Sequence, residues 1–266
     1  MSKEQFSIAA SRPILDLIDR AGDQAGLSRG QAFEDFLTCT RCALGGQTME
    51  DEYLSIVTKG YDKGEPGRRG IDHISRAFGL LVKAMEDTGQ DVLGDIFTGG
   101  ITYGERGQFF TPDCVTDLVS ALMTGGDAEE GSKQNLQSIN DPACGSGRFL
   151  LSMGKQNPRR EFVGQDVDHR CAQMTAINLG LNGLRGWAVW QNTLSLECFR
   201  VYKIGMFFNG AAAGVIREVP KERSPFHYTA IQNLMDRRQE IPDTTQPADT
   251  MPDAPNPCDL SQLDLF

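Results

Sequence analysis

Apolar positions in the first third of the chain recur at helical spacing. Between Ile71 and Met85, the residues Ile71, Ile74, Phe78, Leu81 and Met85 fall on one helical face. Ser28 is placed to cap another helix that runs to Leu44 and turns Phe33, Phe36 and Leu37 inward. Residues 1–87 therefore read as a helical region. The stretch Thr88 to Gly107 is rich in glycine and reads as a mobile approach to a site further on. Thr111 is positioned as an N-cap and Pro112 as the first residue of a helix running roughly from Asp113 to Met123. Then the period changes. Short strand-like runs at 137–140, Phe162–Asp168 and Trp187–Trp190 alternate with helix-like segments at Phe149–Met153 and from about His169 to Asn182. Ala213–Val219 offers one further strand, and a helical piece near Thr229–Arg238 follows the polar segment after Pro220. This alternation predicts an α/β fold built on a parallel, doubly wound sheet.

Between the first strand and its helix lies Asp141-Pro142-Ala143-Cys144-Gly145-Ser146-Gly147. A tight glycine turn between a strand and a helix brings backbone N–H groups close to a ligand, and Gly145 and Gly147 permit an approach that a Cβ would block. The helix N-terminus behind it favours an anionic or strongly polar group. The second strand ends in Asp166 and Asp168, about 20 residues beyond the turn, where nucleotide-binding α/β folds place the carboxylate that holds a ribose.

Four segments together carry a family resemblance: Gly107-Gln108-Phe109-Phe110-Thr111-Pro112, the Asp141–Gly147 turn, the Phe162–Asp168 strand and the strand ending at Asn192. They resemble the cofactor half of N6-adenine DNA methyltransferases, specifically the modification subunits of type I restriction-modification systems, over roughly residues 88–195. The resemblance implies a Rossmann-like methyltransferase sheet and S-adenosylmethionine as cofactor. It implies that Phe110, Thr111 and Pro112, with Ala143, Gly145 and Gly147, wrap the methionine end. By the same analogy Asp141 binds the methionine amino group and Asp166 the ribose hydroxyls. Asn192 stands where the family usually carries an aspartate that accepts from the adenine amino group, and an amide oxygen can accept that bond without the charge.

The resemblance stops short of the catalytic loop. The family flips an adenine out of the duplex and holds its amino group against an Asn/Asp-Pro-Pro-Tyr/Phe segment. This chain contains no Pro-Pro. Where the loop is expected, Phe207, Phe208 and Asn209 supply aromatics and an amide in a different order; Phe208 and Asn209 are the weak candidates for the catalytic role, and a plain reading makes them core and turn residues. The seven-stranded sheet of a full methyltransferase also exceeds the strands in view, and no segment resembles a target-recognition domain. The sheet is therefore expected to be incomplete, with a partner subunit as one way to complete the site.

From Gln239 to Leu260 the chain is rich in Pro, Asp and Thr and has no Lys or Arg, a composition that predicts a disordered, extended tether over 239–261. It leads to Gln262-Leu263-Asp264-Leu265-Phe266, which resembles the pentapeptide that docks bacterial polymerases and repair proteins on the sliding clamp. On that reading Gln262, Leu263, Leu265 and Phe266 contact the clamp; the alternative is an apolar tail folded onto the core.

Charge and composition refine this picture. The net charge of −10 opposes strong intrinsic affinity for DNA, although clusters such as Lys59, Lys63, Arg68 and Arg69, or Lys155, Arg159 and Arg160, or Lys221, Arg223, Arg237 and Arg238, can meet phosphate. A clamp tether would offset that weakness by raising local concentration. No run is apolar and long enough to span a membrane, and Met1–Ala10 lacks a signal-peptide pattern, so a cytoplasmic protein is expected. The seven cysteines, without framework spacing, read as reduced thiols. Cys39-Thr40-Arg41-Cys42 has no second pair and no nearby histidine, so no metal site is assigned, and His73, His169 and His227 receive no catalytic role. Two functions remain open: an S-adenosylmethionine-dependent DNA adenine-N6 methyltransferase recruited by the clamp, and a catalytically inactive relative serving as a clamp-bound adaptor or regulator.

Overall fold

The computed structural model describes residues 4–102, 111, 113–124, 138–209 and 212–226. The expected linker at 239–261, the helix near 229–238, the pentapeptide at 262–266, and residues 103–110 and 112 lie outside the described residues.

The N-terminal region is helical, as its periodicity predicts. α1 spans Ser11–Ala25 and buries Ile14, Leu15, Ile18 and Ala21 along one side. α2 spans Arg29–Gly45; Ser28 and Gln31 form a reciprocal capping box that fixes its start. α3 covers Glu50–Ile56 and α4 Gly70–Thr88, whose buried side carries Ile71, Ile74, Leu81 and Met85. α1 packs on α4, and α2 is buried almost all round from Phe36 to Cys42 because it sits between the other helices and the sheet region.

The short helix α5, Val92–Ile96, and the turn Phe97–Thr102 correct the expectation of a mobile approach, as far as residue 102. Val92, Leu93, Ile96 and Phe97 are fully buried. The glycines there mark close contacts rather than freedom: a Cβ at Gly94 would lie 2.0 Å from the Asp91 carboxylate.

The sheet follows after α6, Asp113–Thr124. β1 (Ile139–Asp141), α7 (Arg148–Gln156), β2 (Glu161–Asp166), α8 (His169–Leu181) and β3 (Arg185–Asn192) form two consecutive crossover units. β1, β2 and β3 are parallel, with Asp141 beside Gly164 and Asp166 beside Trp190. The chain then returns antiparallel along β4, Glu197–Asn209, and again along β5, Ala212–Val219. The fold is a Rossmann-like α/β sheet of order β1-β2-β3-β4-β5. The parallel part is as expected, but among the described residues the strand order never reverses, so the sheet is wound in one direction only. Phe207, Phe208 and Asn209, read as core and turn residues, are instead the last residues of strand β4. Its apolar residues fall on both faces, with Tyr202 and Ile204 toward the helices and Val201 toward the other side, which hides a period of two.

α8 is buried from Cys171 to Leu179, between the sheet and α2. One hydrophobic cluster runs from Ile8 to Ile216 and joins the helical region to this face of the sheet. A smaller cluster, Val189, Cys198 and Val201 with Trp187 and Phe226, covers part of the opposite face. No helix among the described residues is long and apolar enough to cross a membrane.

Candidate cofactor site

The carboxyl ends of β1, β2 and β3 bring the glycine turn, Asp166 and Asn192 to one end of the sheet. Cys144 N–H donates to the Gln165 carbonyl at 2.9 Å, which ties the turn to the end of β2. Asp166 fastens it from the side: one carboxylate oxygen accepts from Gly145 N–H and the other from Asp168 N–H, both at 2.9 Å. Asp141 accepts from Ala143 N–H at 3.1 Å. Each carboxylate keeps lone pairs for a ligand. Neither makes an ion pair among the described residues.

Burial pushes Asp141 above the usual carboxylate range. Burial also raises Asp166, against the two backbone N–H groups, and the charges of Asp168 and Asp141 add to the rise. Two uncompensated carboxylates at one turn suit a ligand that carries positive charge and hydroxyl donors. Beyond them, at the ends of β2 and β3, Val167 and Leu194 are exposed, Leu194 to 96%, so an apolar ring entering there meets side chains already stripped of protein contacts. Asn192 uses its side-chain oxygen to accept from Leu194 N–H at 3.0 Å and Ser195 N–H at 3.3 Å. It thereby shapes the loop, so the oxygen expected to accept from an adenine amino group is already engaged, and its NH2 group is the donor without a partner among the described residues. Thr111 lies two residues before α6, its carbonyl accepting from Arg148 at 3.2 Å.

Beneath the turn lies a buried polar network that the sequence did not reveal. Asp91, 2% exposed, caps α5 by accepting from Gly94 N–H at 2.9 Å. The same carboxylate accepts from Ser146 Oγ, from Asn178 Nδ2 at 2.8 Å and from Arg148 Nε at 3.2 Å. Asn178 also donates to the Ser146 carbonyl at 2.8 Å, and Thr175 Oγ1 to the Gly145 carbonyl at 3.1 Å. Gly147 sits at φ 83°, and a Cβ there would approach Thr175 Oγ1 at 2.9 Å, so only glycine suits the position. The one legible signal was Asp91 preceding Val-Leu-Gly, an N-cap pattern.

His169, next to the site, stacks on Trp190 with ring centroids 4.4 Å apart and shares a hydrogen bond of 2.8 Å with Tyr202 Oη. Behind Tyr202, the fully buried Arg41 guanidinium lies 4.8 Å from the ring and 2.8 Å from Glu52. Burial, then the Arg200 and Arg41 charges, lowers His169 to about 4. Its folded value lies below its unfolded value of about 6.5, so its contribution to stability is complete above that pH and is lost as pH falls from about 6.5 toward 4. In His169→Gln, the stability difference between pH 7 and pH 5 should shrink by on the order of 2 kcal/mol in urea unfolding. An unchanged pH dependence would mean that His169 does not titrate this way.

Phe207, Phe208 and Asn209 are not brought to this end. β4 runs antiparallel from Glu197 beside Asn192, and its last residues extend past Gly186, at the other end of β3. Phe208 is 73% exposed there. Cys39 and Cys42 are buried thiols, pushed up by burial to about 12 and about 11.

Residues 88–216 match the family described as N-6 DNA methylase. The chain is 28% identical over 149 residues to the methylase subunit of the type I restriction enzyme MjaIX of Methanocaldococcus jannaschii, covering 51% of this chain and 25% of that subunit. It is 28% identical over 83 residues to the methylase subunit of type I restriction enzyme MpnII of Mycoplasma pneumoniae, covering 29% of this chain and 14% of that subunit. The matched stretches thus span a quarter or less of these relatives' length. A solved structure of a putative class I S-adenosylmethionine-dependent methyltransferase from Listeria monocytogenes aligns with 18% identity and a TM-score of 0.35, covering 66% of this chain and 51% of that one. Residues 88–216, which carry the glycine turn, Asp166 and Asn192, are thus similar to the N-6 DNA methylase family.

Proposed function

We propose that this chain binds S-adenosylmethionine at the Asp141–Gly147 turn and acts on DNA as the cofactor half of an adenine-N6 methyltransferase. The carrying observation is the pair of carboxylates, Asp141 and Asp166, held at the turn without a cation among the described residues. When bound, S-adenosylmethionine supplies an electrophilic methyl group on a sulfonium. Asp141 holds the amino group of the methionine moiety, and Asp166 accepts from the ribose hydroxyls. Val167 and Leu194 flank the purine ring, and the free Asn192 NH2 donates to a purine nitrogen. Phe110, Thr111 and Pro112 close over the methionine end. Methyl transfer needs chiefly positioning, so a second polypeptide that holds the flipped adenine would complete the reaction. α6 supports such a partner: Val115, Leu118, Val119 and Leu122 form an exposed apolar stripe, while Thr116 and Ser120 are buried. A stripe of this spacing turned outward suits another protein surface.

Ultraviolet crosslinking of methyl-labelled S-adenosylmethionine to the full chain, followed by peptide mapping, tests the reading. Label is expected on peptides containing 141–147 or 192–195; label confined to other peptides, or none, would refute it. In the same scheme Gln262–Phe266 docks the chain on the sliding clamp. Deleting these five residues should abolish co-elution with the clamp and leave the melting temperature unchanged, whereas retained co-elution would remove the tail from that role.

The absence of a Pro-Pro loop and the placement of Phe208 at the far end of the sheet favour a second reading. In it the chain is a catalytically inactive, clamp-bound adaptor. Transfer of labelled methyl groups to unmethylated DNA by the chain, alone or with its partner, would exclude this adaptor.

A further inference from the structure

The end of the sheet opposite the glycine turn carries a feature that the cofactor reading does not use. Lys203 and Arg217 are directly opposite each other on β4 and β5. Like charges so placed destabilise a strand pair. Both are exposed, and neither makes an ion pair among the described residues. Each is instead held against a ring: Lys203 Nζ lies 4.8 Å from the centre of Trp187, and the Arg217 guanidinium 4.6 Å from Phe207. Rings fix the cations in place without neutralising them. Arg185, on β3, and Arg159, whose carbonyl accepts from Arg185 at 2.6 Å, continue the strip of exposed positive charge toward β2.

Beside Arg217 opens a pocket of about 210 Å³, lined by Gln47, Thr48, Phe207, Phe208 and Ile216. It is smaller than the ~300 Å³ of sites that enclose drug-sized ligands and offers space for one planar group. Phe208, exposed to solvent at its rim, presents an aromatic surface, and Gln47 and Thr48 present hydrogen-bonding groups.

We infer that this end of the sheet binds single-stranded DNA, with successive phosphates on Lys203 and Arg217 and one unpaired base in the adjoining pocket against Phe208. Cations held in a row without an ion pair among the described residues select a polyanion, although the Glu161 carboxylate accepts from Trp187 Nε1 at 3.0 Å nearby, in a chain whose net charge is −10. The ring-lined pocket selects a strand whose bases are free, because a paired base cannot leave the stack without cost. A protein partner would be expected to bring carboxylates and cover the apolar rim, which makes it an outcome of the test rather than the assignment. The choice of DNA over RNA rests on the family reading; the site itself does not require a cofactor. It lies about 17 Å from the cofactor end, the rise of five residues along β3 between Trp187 and Asn192.

Fluorescence anisotropy of a labelled oligonucleotide of about 12 nucleotides, with the full chain and no S-adenosylmethionine, tests this. The single strand should bind at least about tenfold more tightly than its duplex. The double variant Lys203→Gln/Arg217→Gln should lower the slope of log affinity against log salt by about 1.4. Phe208→Ala, which removes an exposed ring and leaves the core intact, should weaken binding about tenfold at unchanged slope. Absence of binding, equal or tighter binding of duplex, preference for single-stranded RNA, or variants that bind like the parent would each overturn the inference. Because no cofactor is present, these failures would leave the glycine-turn reading standing.

Discussion

Asp91→Ala should cost about 3–5 kcal/mol of folding stability, the largest loss expected from a single substitution at the candidate site. The carboxylate is 2% exposed and is shared by Ser146, Asn178, Arg148 and Gly94 N–H. Removing it withdraws the anion from a partly buried guanidinium and leaves three buried donors with one acceptor fewer, which is far more costly than losing an exposed ion pair. The loss is a large fraction of a typical domain's 5–15 kcal/mol. Asp91→Asn, which keeps an acceptor but not the charge, should lose less. Urea unfolding measures both. A change below about 1 kcal/mol in Asp91→Ala would show that the network does not hold the turn in place.

Asp166→Ala should weaken S-adenosylmethionine binding about 10- to 100-fold, because hydrogen bonds to a charged acceptor contribute about 1.5–3 kcal/mol. The fold should tolerate the change. Burial keeps the Asp166 pKa above its unfolded value, so the ionised carboxylate opposes folding at neutral pH and its removal relieves that cost, offsetting the lost bonds to Gly145 N–H and Asp168 N–H. The same sign predicts that affinity falls as pH is lowered, from above the ordinary carboxylate range, as Asp141 and Asp166 take up protons. Unchanged affinity with an intact melting curve would place the ribose elsewhere.

Features governed by neighbours in sequence were legible. The Ser28 cap, the buried side of α4 and the strand–turn–helix around Gly145 and Gly147 each depend on residues within a few positions. Features governed by distant pairs were not. Asp91 meets Ser146 across 55 positions and Asn178 across 87, and Arg41 meets Glu218 only because β5 lies beside α2. The glycines between residues 89 and 100 were read as freedom, yet Gly94, Gly99 and Gly100 are places where a Cβ would strike Asp91, Gln5 and Leu15. β4 was hidden because both of its faces carry apolar residues, and its direction carries Phe208 away from the glycine turn. Phe208 was chosen for its residue type near an expected position, which says nothing of the end of the sheet at which a strand delivers it.

The central claim is that the Asp141–Gly147 turn binds S-adenosylmethionine. Calorimetric titration of S-adenosylmethionine into the full chain, with Asp141→Ala in parallel, tests it most directly. Saturable one-site binding is expected for the parent and its loss in the variant. A folded parent that releases no heat of binding, or a variant that binds equally well, would contradict it.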